Sequence, residues 1–104
     1  MEVAARPSDE LAAHAADAVR LLKLVANERR LRVLCRLAAS GEATVGELAR
    51  SVGLSQSALS QHLALMREDG LVGFRREGQT IHYRIADPNA RRLLETLRAI
   101  FCPT

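Results

Sequence analysis

The chain has 104 residues, 48% of them hydrophobic, which is enough for one small domain with a thin margin of core. Aromatics make up only 3% and Trp is absent, which argues against a carbohydrate-stacking or single-strand-stacking surface. A net charge of +3 leans toward an acidic partner such as nucleic acid. The opening "MEVAARPSDE" lacks the basic-then-apolar order of a secretory signal, and no apolar run approaches a membrane span. A cytoplasmic protein with no membrane partner is expected.

Residues 1–7 read as a disordered tail and 8–104 as one domain. Ser8 is placed to cap a helix running to about Ala26, with Leu11, Ala15, Ala18, Leu22 and Val25 at helical spacing. Val19 and Leu21 widen that stripe, and so broad an apolar arc needs more than one partner. Asn27 caps a second helix, Glu28 to about Ala39, whose inward stripe is Leu31, Leu34, Cys35 and Ala38. "TVGE" is a capping box in which Thr44 and Glu47 satisfy each other's backbone N–H. The short helix behind it turns Val45, Leu48 and Ala49 inward and stops at Gly53.

Ser55 caps the next helix, which buries Leu59, Leu63 and Met66 and ends at Gly70. Its opposite stripe, Ser57, Gln61, Ala64 and Glu68, is small or polar. "LVGFRREGQTIHYRI" then changes to a period of two around a Gly-containing turn, a hairpin signal. Asp87 and Pro88 open a last helix reaching about Phe101, apolar at Leu93, Leu94, Leu97, Ile100 and Phe101.

The order is that of a winged helix-turn-helix. The fold class is mainly α with a β-hairpin wing, about five helices plus two strands. The first and last helices are expected to form a homodimer, with Leu11, Leu22, Leu94 and Leu97 in the partner-facing set. A helix fits the major groove with its first turns at base edges, where Gln suits adenine and Ser serves several bases. Gln56, Ser57, Ser60 and Gln61 are the candidate readers. His62 lies beside the buried stripe, near Leu59 and Met66, as a packed or phosphate-contacting side chain. Arg75, Arg76 and Gln79 at the wing tip would hold phosphate or the minor groove. His82 and His14 read as solvated.

"ANERRLRVL", "SQSALSQHLALMREDGLV" and "RREGQTIHYRI" together resemble the ArsR/SmtB family of bacterial repressors, over about Leu11 to Phe101. The resemblance implies a dimeric repressor on double-stranded operator DNA carrying an inverted repeat. Where metal-sensing members carry paired cysteines on the short helix, this chain has Thr44 and Gly46. Where others begin the last helix with Asp-x-His, it has Asp87 and then Asn89, and the later ligand positions fall at Ile100 and near Pro103. No metal and no cofactor are expected.

Two cysteines remain, Cys35 and Cys102, and by position alone either could be an apolar filler. They match the persulfide- and thiol-sensing BigR/SqrR-type subgroup, which has one Cys on each of the same two helices. That likeness implies a redox-sensing pair, with reactive sulfur species or oxidants as inducer. The switch would be a disulfide or polysulfide bridge within one protomer. The alternatives are a metal-responsive ArsR-type repressor and a winged-helix dimer module without a thiol switch. An enzyme has least support, since no nucleophile-base arrangement or phosphate-cradling loop is present.

Overall fold

The structure, a computed structural model, describes residues 7–102. The expected tail therefore lies outside the described residues, except for Pro7, which opens the first helix. Six helices and three strands follow in chain order. They are α1 (Pro7–Ala13), α2 (Ala15–Val25), α3 (Glu28–Ser40), β1 (Ala43–Thr44), α4 (Val45–Val52), α5 (Gln56–Glu68), β2 (Val72–Glu77), β3 (Thr80–Ile85) and α6 (Pro88–Phe101).

Local chemistry sets most of these boundaries. Asn27 accepts from the Arg30 N–H at the start of α3. At α4 both halves of the capping box form. The Glu47 N–H donates to Thr44 Oγ1 at 3.2 Å, and the Thr44 N–H to Glu47 Oε1 at 2.8 Å. Gly53 closes α4 with φ 71°, a left-handed conformation that costs glycine little. Ser55 caps α5, and Asp87 caps α6 by accepting from the Asn89 and Ala90 N–H groups, with Pro88 in the first turn.

Three expectations are corrected. Among the described residues the first helix spans Pro7–Ala13, so Ser8 lies inside it rather than at its cap. It also breaks at His14, whose N–H is shared between the Glu10 and Leu11 carbonyls. No Pro or Gly marks that break. The second correction is the third strand. β1 pairs antiparallel with β3, Ala43 opposite Tyr83 and Thr44 opposite His82, so the sheet order is β1-β3-β2. Third, the buried face of α3 is Val33, Leu34 and Leu37, while Leu31, Cys35 and Ala38 are half-buried along its flank.

Leu34, Leu37, Leu48, Leu59, Leu63, Met66, Leu71 and Leu94 are fully buried and form the centre of the core. α3 runs through the middle, packed on α4, β3 and α6. Arg30 ties its start to the surroundings, donating to the Leu24 carbonyl at 3.0 Å and to Asp69 at 3.2 Å. The radius of gyration is 16.2 Å, against about 13 Å for a compact chain of this length. The excess comes with an arm: α1 packs on α2 and leaves Leu11, Val19 and Leu22 exposed. Among the described residues no helix is long and apolar enough to cross a membrane.

Candidate nucleic-acid interface and cysteine pair

α5 buries Leu59, Leu63 and Met66, and this fixes what faces outward. Ser57, Ser60, Gln61 and Ala64 are all exposed. Gln56 is exposed too, but it leans back over α4: its amide nitrogen lies 3.6 Å from where a Cβ on Gly46 would stand. Leu65, one turn beyond Gln61, is 51% exposed. It escaped the sequence reading because an isolated leucine on a helix is normally assigned to the core.

The two flanks of α5 differ. On one, Arg67 stacks over the Phe74 ring at 4.7 Å, and Phe74 packs on Tyr83 with ring centroids 5.9 Å apart. This flank leads into the wing. On the other, half-buried His62 lines a groove of about 420 Å³ with Arg29 and Arg32 of α3 and the Gly53-Leu54 turn.

The hairpin register divides the wing's charged residues between two faces. Arg76 shares a face with Phe74 and Ile81, whereas Arg75 shares one with Glu77, His82 and Arg84. Gln79 is exposed at the tip, beside Gly78 with φ 63°. Arg75 is not free. Its Nε donates to both carboxylate oxygens of Glu42 at 3.0 Å, its Nη2 lies 2.9 Å from Oε1, and its Nη1 is 3.7 Å from Glu77. The Glu42 carboxyl is held below the usual carboxylate range, chiefly by the hydrogen bonds from Arg75. His82 is not simply solvated as read: its side chain is 21% exposed and stands 3.4 Å from Glu77.

Cys35 lies half-buried on the flank of α3, and Cys102 is exposed at the C-cap of α6, its N–H donating to the Arg98 carbonyl at 2.7 Å. α3 and α6 are packed together. Burial pushes the Cys35 thiol up, the Cys102 charge adds to that, and Arg98 opposes it. Of the four residues expected to face a partner, Leu11 and Leu22 are exposed and Leu97 is half-buried. Leu94 is corrected: it is fully buried within the chain, because α6 turns that side onto the core. Ile100 and Phe101, 61% and 76% exposed, present the apolar surface of α6 instead. Among the described residues no three His, Cys, Asp or Glu side chains stand together as a metal site, and Asp87 is occupied as a cap.

The model of the bacterial regulatory protein arsR family matches residues 27–73, the span from the α3 cap into the wing. The chain is 48% identical over 93 residues to the transcriptional activator HlyU of Vibrio cholerae, covering 89% of this chain and 85% of that one. The chain belongs to the ArsR family. It is a DNA-binding regulator of transcription, as its relatives are, and not an enzyme. This ArsR-family chain is also 41% identical over 102 residues to the biofilm growth-associated repressor of Agrobacterium fabrum, covering 98% of this chain and 86% of that one. Its fold superposes on reduced HlyU from Vibrio cholerae with a TM-score of 0.80 at 48% identity, covering 89% of this chain and 97% of that one.

Proposed function

We propose that this ArsR-family regulator is a homodimeric repressor of the cytoplasm whose operator affinity falls when Cys35 and Cys102 of one protomer are bridged by reactive sulfur. The observation that carries the reading is the seating of the two thiols on packed helices, α3 at the centre of the DNA-reading body and α6 at its edge. The solved structure of HlyU in its reduced form, a relative at 48% identity, supports a redox variable for this chain as well.

Access and charge order the chemistry. Cys102 is exposed and reacts first; Cys35 is half-buried and protonated at neutral pH, so it reacts second. Each thiol takes one sulfur from a persulfide RSSH, breaking its S–S bond and releasing RSH. The terminal sulfur of one Cys persulfide then attacks the inner sulfur of the other and expels hydrogen sulfide. The product is a trisulfide, one sulfur heavier and two hydrogens lighter than the dithiol. Thiol exchange with cellular reductants reverses it.

On DNA, Ser57, Ser60 and Gln61 read base edges in the major groove, with Gln56 released from α4 to join them. Arg75, Arg76, Gln79 and His62 hold backbone on the two flanks. Two such units related by a two-fold axis require an inverted repeat with half-sites about one helical turn apart or a multiple of it. The dimer contact is assigned to Leu11, Leu22 and Leu97, extended by Ile100 and Phe101 and without Leu94. A bridge at the end of α6 then couples the dimer seam to α3, and a coupling of about 1–3 kcal/mol suffices to regulate.

The test is a gel shift on the inverted repeat upstream of the chain's own gene. Wild type should release DNA on adding a persulfide donor. Cys35→Ser and Cys102→Ser should bind and stay bound. Release of either variant at the wild-type dose would withdraw the sensor reading, and release by a metal salt alone would favour the metal-responsive alternative.

A further inference from the structure

The fork of Arg75 is filled from both sides. Its Nε and Nη2 edge lies on Glu42 at 2.9–3.0 Å, and Nη1 turns toward Glu77. Glu42 lies 33 positions before Arg75 in the chain and belongs to no DNA-reading element. It immediately precedes β1, whose pairing with Tyr83 and His82 fixes its backbone beside the wing. The carboxylate is thus a tethered anion, and it meets the guanidinium with the two-bond geometry that a DNA phosphate would use. One edge of Arg75 cannot serve both. The other groups on that face are Glu77 and Arg84, of opposite sign, with His82 3.4 Å from Glu77, and Glu42 offsets the positive charge of Arg75.

We propose that Glu42 is an intramolecular competitor with DNA phosphate for Arg75, and that it lowers the regulator's affinity for every DNA sequence alike. The proposal rests on the reading that the wing meets the DNA backbone. Phosphate contacts carry no sequence information, so the competition acts equally on operator and non-operator duplex. Its effect is to keep the chain from accumulating on bulk DNA.

Fluorescence anisotropy of the reduced, full-length chain tests this with two probes, an operator fragment and a short random-sequence duplex, each across a salt series. Glu42→Gln should tighten binding to both by about fivefold near physiological salt, and should steepen the dependence of log K on log salt by a fraction of one phosphate contact, at most ~0.9. Glu42→Ala should behave alike, which guards against a local folding effect of either variant. Added to Arg75→Gln, neither change should alter affinity. Unchanged or weaker binding by both Glu42 variants would overturn the proposal. Equal tightening in the Arg75→Gln background would also overturn it, because Glu42 would then act only as a bulk negative charge. If wild type binds neither probe, the repressor reading fails and takes this one with it. If wild type binds and the Glu42 variants do not differ from it, only the competitor role is lost.

Discussion

Two regions of this chain solve the same problem differently. From Glu28 to Ile85, the large apolar side chains pack inward, Leu65 excepted. In α1, α2 and the end of α6, Leu11, Val19, Leu22, Ile100 and Phe101 face outward. The first region supplies most of the core, which Val25 of α2 and Ala90 and Leu94 of α6 complete. The second leaves apolar surface open, which the proposed dimer contact would cover. An association seam built from such surface is easier to adjust than a close-packed core, and the proposed switch joins the two regions at the point where α6 lies on α3.

The comparison is broken most severely in the body. Leu34→Ala removes a fully buried side chain at its centre and should destabilise the protein by about 2–5 kcal/mol, read from the urea midpoint. Leu22→Ala should cost far less in the same experiment at protein concentrations too low for association. A similar loss at both positions would mean that the arm is part of the core.

Gln61→Ala should weaken operator binding by about 1–3 kcal/mol and relax preference at one base position, measured by anisotropy against a set of single-site operator variants. Arg76→Gln should weaken all sequences alike and flatten the salt slope by about one phosphate contact. The arm should respond in a different currency. Leu22→Glu should move the sedimentation coefficient toward the monomer and reduce operator affinity while leaving the body's fold intact by circular dichroism. A Leu22→Glu protein with unchanged dimer mass would remove α2 from the seam.

Thr44→Ala should cost about 1 kcal/mol by opening the capping box that starts α4. Glu47 adds a pH dependence. The Thr44 backbone and side chain hold its carboxyl below the usual range in the folded protein. Its stabilising contribution is therefore present above the ordinary carboxylate range and is lost as pH falls through the depressed value. Glu47→Gln should flatten the acid limb of a stability-against-pH curve by a small amount.

The body was largely legible in the sequence because its signals are local. Asn27, Thr44 with Glu47, Ser55 and Asp87 each cap the helix they precede, and the hairpin carries its own period. What escaped depends on distant neighbours. β1 has only two residues and no period to display; it exists because Tyr83 and His82 lie opposite. The inward face of α3 turned toward Val33 and Leu37, since α4, β3 and α6 surround that helix, and sequence spacing alone allowed a different arc. Leu94 was read as seam because it shares the apolar stripe of α6, and only the packing separates it from Ile100 and Phe101. The Arg75–Glu42 pair joins residues from two separate elements, which no motif links.

The central claim is that joining the body to α6 through Cys35 and Cys102 is what releases DNA. It is tested most directly by titrating wild-type protein with a persulfide donor and measuring two quantities on each sample. One is the fraction bridged, by intact mass; the other is the fraction released from operator, by anisotropy. The two fractions should rise together, with bridged protein one sulfur atom heavier and two hydrogens lighter than the dithiol. Protein that is fully bridged yet still bound, or fully released with both cysteines unbridged, would contradict it.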